Sequence, residues 1–169
     1  MNPEAFFNEN KGILAILQNN LENPVYVFET ENRFKKCLLM TIVGYFEERI
    51  KLIIKTYFEE NGNQIISDFI EDRRLMPYHT IFNVKASNIN GFLNMFGQDF
   101  KNEFNVMKEK DELLNEAIEL FLELGRDRNY IAHGNFATRN INSNSNELLH
   151  KYNKAKYFID KFDEFLNNH

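Results

Sequence analysis

Residues 126–134 (Arg-Asp-Arg-Asn-Tyr-Ile-Ala-His-Gly) bring two arginines, an asparagine and a histidine close together in the chain. Without a metal or a protein nucleophile, such a set can cleave RNA, because the 2′-OH of the substrate is the nucleophile. His133 can act as the general base or acid. Arg128 can neutralise the phosphorane charge through two parallel hydrogen bonds. Asn129 can orient the imidazole or hold the phosphate, and the products would carry a 2′,3′-cyclic phosphate and a 5′-OH.

The same residues close a predicted amphipathic helix that begins near Asp111. At about 100° per residue, Arg128 falls in the middle of the apolar stripe, whereas Asn129 and His133 fall toward its polar edge with Arg126. A buried arginine must find partners, because an unpaired buried charge is too costly. The stripe shows helical spacing and consists of Leu114, Ala117, Ile118, Phe121, Leu124, Ile131 and Ala132.

A purely structural explanation accounts for the same side chains. Arg128 would pair with an acid of the second helix, such as Glu47. His133 would end a helix whose dipole interacts favourably with a protonated histidine. Because arginine and histidine are common near helix C-termini, the residues alone favour this explanation slightly over catalysis.

Other chemistries find little support in the sequence. The four histidines are scattered without an HExxH motif, which argues against a zinc site. No GxxxxGK[ST] phosphate loop, GxGxxG motif or GxSxG nucleophile elbow occurs. The single cysteine, Cys37, lies in an apolar run and is predicted to be a core residue. We therefore expect no metal and no cofactor.

The charge is distributed unevenly along the chain. The net charge of −5 does not suggest nucleic-acid binding, but residues 126–156 contain six basic and two acidic side chains, a local balance of +4. A basic patch on an acidic protein can still bind phosphate. An ordinary mixed surface explains the same counts equally well.

The composition predicts one all-α domain over residues 1–169. A chain of 169 residues can bury a substantial core, and only three prolines and seven glycines interrupt its helical periodicity. Its start lacks the basic and apolar segments of a signal peptide. Its most apolar stretch, residues 37–45, is too short to span a bilayer. We expect a cytoplasmic protein with no membrane segment.

Capping residues, prolines and apolar periodicity define the predicted elements. The segment at 134–145 is rich in asparagine and serine and is predicted to be a mobile polar loop. Gly134 stands where a helix C-terminus often requires glycine, and Ser145 is predicted to cap the last helix. In chain order, the prediction is a first helix from Asn2-Pro3-Glu4 to Asn23-Pro24, an extended linker or local strand at 25–28, a central helix at about 30–59, shorter helices at about 64–74, 88–95 and 98–104, an aperiodic segment at 78–87, and long helices at about 111–133 and 146–167.

Residues 128–133 match the R-x4-6-H motif of the HEPN superfamily, with a polar residue after the arginine and a glycine after the histidine. The position of the motif, at the end of a long helix late in an all-α chain, strengthens the likeness. Residues 45–47 (Tyr-Phe-Glu) and 88–97 (NINGFLNMFG) resemble the RiboL-PSP-HEPN, or MAE-type, branch. The resemblance covers roughly residues 30–135.

The resemblance implies a helical bundle with two long core helices, which dimerises so that the motif helices of two chains face each other. The composite active site would contain Arg128, Asn129 and His133, with Glu47 as a weaker supporting candidate. Arg126 also fits the motif, with six intervening residues, but Arg128 is preferred because Asn129 follows it.

Many HEPN proteins are metal-independent endoribonucleases of toxin–antitoxin or phage-defence systems. The resemblance therefore implies an RNA substrate, a homodimer and an antitoxin or nucleotidyltransferase partner. The alternative is a non-catalytic HEPN module that binds a nucleotide or a protein partner.

Overall fold

The computed structural model describes residues 2–20, 23–62 and 88–168. These ranges contain six α-helices, one 3₁₀ turn and no strand, so the all-α prediction is confirmed. The predicted helix at 64–74 and the aperiodic segment at 78–87 lie outside the described residues. In chain order the elements are α1 (Pro3–Asn20), α2 (Pro24–Asn61), α3 (Asn90–Leu93), the 3₁₀ turn (Asn94–Phe96), α4 (Gln98–Glu109), α5 (Glu112–Ala132) and α6 (Ser145–Asn167).

Helix α2 begins earlier than predicted. The expectation of an extended linker at 25–28 is wrong, because these residues form the first turn of the helix. Proline suits the first turn, since its fixed φ is helical and an amide there would lack a helical partner. Asn23 caps the turn, with its Oδ1 accepting a hydrogen bond from the Val25 amide at 3.0 Å. Asn23-Pro24 therefore starts α2.

Contacts group the described residues into two compact units, the first comprising residues 1–45 and 124–153. It contains α1, the first part of α2, the last turns of α5, the loop that follows and the start of α6. The Phe34 ring lies 5.9 Å from the rings of both Phe6 and Phe7, measured between centroids. Tyr45 meets Tyr152 edge-on at 5.7 Å. This unit contains the whole 126–134 segment.

The second unit comprises the described residues within the ranges 46–123 and 154–169. Its core is a set of phenylalanine rings in edge-on and tilted contact, such as Phe92 and Phe162 at 4.9 Å and Phe121 and Phe158 at 5.1 Å. Aromatic pairs of this geometry add to the stabilisation from buried apolar area. Among the residues that the structure describes, no helix is both long enough and apolar enough to cross a membrane.

Cys37 is exposed, so its prediction as a core residue is wrong. The next two residues, Leu38 and Leu39, are fully buried. Cys37 lies one helical turn after Arg33, which is also exposed. An apolar neighbourhood in the sequence therefore did not decide which face of α2 this side chain occupies.

The start of α6 is capped by Asn144 and Glu147. The Oδ1 of Asn144 accepts a hydrogen bond from the Glu147 amide, and the Glu147 carboxylate accepts one from the Asn144 amide, each at 2.9 Å. This is a capping box, with Asn144 as the cap. The prediction that Ser145 caps the helix is therefore wrong by one residue. The Ser145 hydroxyl instead donates to the Glu31 carboxylate at 2.8 Å.

Asp111 anchors the start of α5. Its Oδ1 accepts a hydrogen bond from the Leu114 amide at 3.0 Å, and its Oδ2 accepts one from the Tyr157 hydroxyl on α6 at 2.8 Å. The Leu114 hydrogen bond, followed by that from Tyr157, holds the pKa of the Asp111 carboxyl below its ordinary value. The ionised form is therefore favoured in the folded protein.

Replacing Asp111 by asparagine should lower the free energy of unfolding at neutral pH and have less effect in acid. A lowered folded-state pKa gives stability that is complete above the unfolded-state pKa, about 3.9, and is lost as the pH falls through the folded-state pKa. Urea unfolding of the wild type and Asp111→Asn at several pH values measures the difference. Asp160→Asn, at an exposed position on α6, is the control. A difference that stays constant down to acid pH would contradict the assignment.

Candidate active site

Four of the five candidate residues lie in the last two turns of α5 and just beyond them. Helix α5 ends at Ala132, one residue before the predicted end. The His133 amide still donates to the Asn129 carbonyl at 3.0 Å, so its backbone continues the helical hydrogen-bond pattern. The His133 side chain is exposed, and this places its imidazole at the accessible end of α5.

Arg128 and Asn129 are in direct contact. The Arg128 Nη1 donates a hydrogen bond to the Asn129 Oδ1 at 3.0 Å. Both side chains are half-buried, so Arg128 does not lie in the core as its position on the stripe suggested. A hydrogen bond to an amide oxygen orients the guanidinium, whose planar fork of N–H donors matches the geometry of a phosphate.

Arg126 has a different relation to His133. Seven residues span about 700°, so these two side chains project from nearly the same face of the helix. Both are exposed. Arg128 and His133, separated by five residues, project about 140° apart by the same geometry. The choice between Arg126 and Arg128 as the motif arginine therefore stays a prediction.

Glu47 lies on α2 in the second unit and is half-buried. The other four candidates, Arg126, Arg128, Asn129 and His133, lie in the first unit. The role of Glu47 as a supporting acid stays a prediction.

Two consecutive lysines of α2 hold the loop that follows His133. The Lys36 side chain is 2% exposed; its ammonium donates to the Phe136 carbonyl at 2.9 Å and lies 5.4 Å from the centroid of the Phe136 ring. Lys35 donates to the Ile141 carbonyl at 2.9 Å. The composition predicted a mobile loop, and these contacts tie it to the helix at two points.

The end of the loop is also held by side chains. Ser143 and Ser145 are both buried, although serine is usually exposed. The Lys151 ammonium donates to the Ser143 hydroxyl at 2.8 Å. The polar residues that predicted a solvated loop thus serve partly as internal hydrogen-bonding groups.

Removing the Lys36 ammonium should loosen the loop more than it destabilises the protein. Lys36→Met keeps the length of the aliphatic side chain but cannot donate to the Phe136 carbonyl. A hydrogen bond from a charged donor contributes about 1.5–3 kcal/mol. Amide hydrogen exchange of residues 134–142 is expected to accelerate, whereas Lys110→Met, at an exposed position before α5, should leave it unchanged. Equal exchange in Lys36→Met and wild type would show that the lysine does not hold the loop.

The sequence pattern did not indicate that Lys36 is buried and holds the loop. A lysine beside an apolar run is usually an exposed side chain, and the carbonyl that accepts the Lys36 hydrogen bond lies 100 residues further along the chain.

Among the described residues, no three histidine, cysteine or acidic side chains are grouped so that they could hold a metal ion.

The chain was also compared with models of protein families. The RiboL-PSP-HEPN family model matches residues 5–168. The matched range extends beyond the 30–135 resemblance and includes nearly all of α1 and the whole of α6. No significant match was found among curated proteins or solved structures.

Proposed function

This chain belongs to the RiboL-PSP-HEPN family of the HEPN superfamily, and on that premise we propose that it is a metal-independent endoribonuclease. Membership by itself indicates a nuclease, RNA-related or nucleotide-binding module. The observation that carries the finer proposal is the end of α5, where Arg128 is hydrogen-bonded to Asn129 and the His133 side chain is exposed to solvent.

The proposed reaction is an intramolecular transesterification of RNA. The 2′-oxygen forms a bond to the adjacent phosphorus as a base removes its proton. The bond between phosphorus and the 5′-oxygen breaks, and an acid protonates that oxygen as it leaves. The products are a 2′,3′-cyclic phosphate and a 5′-OH, so no external nucleophile or oxidant is required.

Arg128 is proposed to stabilise the negative charge that develops on the nonbridging oxygens. A planar guanidinium can donate two parallel hydrogen bonds to a phosphate, which a lysine cannot reproduce. The hydrogen bond to Asn129 restricts the rotation of this guanidinium before the substrate binds. Restricting a donor in advance lowers the reorganisation needed in the transition state.

His133 is proposed to transfer protons, and the reaction geometry favours two copies of it. In an in-line displacement the attacking and leaving oxygens lie on opposite sides of phosphorus, so one imidazole does not reach both. One chain contributes one His133, and a homodimer contributes two. HEPN domains often dimerise and bind RNA, which supports a composite site with Arg128 and His133 from both chains.

The biological setting that we propose is a toxin–antitoxin or phage-defence system in the cytoplasm. An unregulated ribonuclease would damage the RNA of its own cell. We therefore propose that an antitoxin, or a nucleotidyltransferase partner, restrains this activity.

The test is cleavage of RNA by the purified chain in buffer with excess EDTA. We expect cleavage, 5′-OH ends that a polynucleotide kinase can label, and 3′ ends that a cyclic phosphodiesterase can open. Activity per chain should fall on dilution through the dimer dissociation constant, because each site needs two chains. Absence of cleavage across structured and unstructured RNAs, or 5′-phosphate ends, would overturn the proposal.

A further inference from the structure

Arg139 folds back from the loop onto the last turns of α5. Its Nη1 donates a hydrogen bond to the Tyr130 carbonyl, and its guanidinium carbon lies 4.4 Å from the centroid of the Tyr130 ring. This distance is that of a cation–π contact. Half of the tyrosine surface, 50%, nevertheless stays exposed. Arg139 and Tyr130 therefore form a stacked pair, which we call the Arg–Tyr pair.

The backbone is adapted to this pair at Gly134. A Cβ atom at this position would overlap the Nε, Cζ and Cδ atoms of Arg139. The backbone of Gly134 is not in the left-handed region, which among the described glycines is occupied by Gly97 alone. A residue with a Cβ at 134 would therefore displace the Arg139 side chain, whereas the sequence had suggested a helix-ending conformation for Gly134.

The loop that carries Arg139 is fixed on both sides of it. Lys36 binds the carbonyl of Phe136, and Lys35 binds the carbonyl of Ile141. The Thr138 and Arg139 amides both donate to the Asn135 carbonyl, at 3.1 Å and 3.0 Å. The arginine is thus held over Tyr130 by a tethered turn.

The Arg–Tyr pair lies beside the candidate catalytic residues. Tyr130 precedes His133 by three residues and follows Arg126 by four, and these spacings place side chains next to one another on one helix face. Arg126, Tyr130 and His133 are all exposed. A phosphate at His133 would therefore bring a neighbouring nucleotide within reach of the tyrosine ring.

We propose that the Arg–Tyr pair is a stacking platform for an unpaired base of the RNA substrate, next to the phosphate that is cleaved. The identity of the ligand as RNA rests on the proposed function. Bases stack on aromatic rings without regard to sequence, and an adjacent arginine adds charge that attracts the backbone. Bases inside an A-form duplex cannot be splayed onto such a ring. The platform therefore selects single-stranded RNA or loops.

The experiment measures binding of the full chain to a short 2′-O-methyl RNA, which cannot be cleaved because its 2′-oxygen carries no proton. Tyr130→Leu should weaken binding of the single strand by about tenfold, as loss of a base–aromatic stack does, and Arg139→Gln should weaken it because the charge beside the ring is lost. Tyr130→Phe should bind like the wild type. Gly134→Ala should also weaken binding, because the added methyl group displaces Arg139 and leaves Tyr130 in place.

Two controls separate stacking from a change in fold. Tyr26→Leu removes another exposed tyrosine, 61% accessible, in the first turn of α2 and should not alter binding. When the nucleotides of the RNA are replaced one at a time by abasic residues, the replacement at one position should weaken binding to the wild-type protein. An abasic residue at that position should not weaken the binding of the RNA to Tyr130→Leu any further. A general loss of protein stability would not produce this dependence on one nucleotide.

The failures of the platform and of the proposed function are distinguishable. If the wild type cleaves RNA and Tyr130→Leu binds the single strand equally well, the platform is wrong and the ribonuclease proposal stands. If the wild type binds the single strand through Tyr130 but cleaves no RNA, the platform stands without the ribonuclease. A wild type that neither binds nor cleaves RNA overturns both.

Discussion

Replacing His133 by alanine is expected to lower the rate of RNA cleavage by about 10²- to 10⁴-fold, the range typical of a lost general acid or base. The His133 side chain is exposed at the end of α5. Its removal should therefore cost little stability, and RNA affinity should change less than the rate of cleavage. In a composite dimer the substitution removes both copies, so both proton transfers are affected. Single-turnover cleavage at saturating enzyme, in EDTA, measures this effect on the chemical step.

His150 provides the matched control for this prediction. It is an exposed histidine on α6, and His150→Ala should cleave RNA at the wild-type rate. The thermal unfolding temperatures of both variants should lie close to that of the wild type. If His133→Ala retains full activity, the cleavage does not use this histidine. A measured activity would then belong to another site or to a contaminating ribonuclease.

The end of α5 and the family could be predicted from local sequence patterns. The apolar period of α5 placed its end within one residue, and the spacing from Arg128 to His133 identified the family that the full-length match confirms. The end of α5 and the motif were both recognised from residues less than two helical turns apart. Over such short distances, helical geometry relates the position of a residue in the chain directly to its position in space.

The features that the sequence did not reveal depend on contacts between distant residues or on a choice between equivalent local signals. Asn23-Pro24 suits the end of one helix and the start of another, and only the capping hydrogen bond to Val25 shows which applies. Lys36 is buried because a carbonyl 100 residues away accepts its hydrogen bond. Gly134 is explained by the guanidinium of Arg139, five residues beyond it.

The Arg128–Asn129 hydrogen bond predicts which of the two arginines has the larger effect on catalysis. Removing one preorganised donor to a developing oxyanion typically slows the reaction by about 10²- to 10³-fold, and we expect Arg128→Gln to fall in this range. Arg128→Lys retains the charge but not the paired donors, so it should recover only part of the rate. Arg126→Gln should act mainly through weaker RNA binding, and its RNA affinity should depend less steeply on salt concentration than that of the wild type.

Cleavage rates measured at saturating protein, together with RNA affinities, separate the two arginines. Loss of the Asn129 contact should lower the free energy of unfolding of Arg128→Gln by about 0.5–1.5 kcal/mol, so unfolding must be measured beside activity. Asn129→Ala removes one hydrogen-bond acceptor of the guanidinium but leaves its charge, and it should slow cleavage less than Arg128→Gln does. A larger rate loss in Arg126→Gln than in Arg128→Gln would make Arg126 the motif arginine. The site would then lie on the face that Arg126 shares with His133 and Tyr130, and the hydrogen bond to Asn129 would be structural.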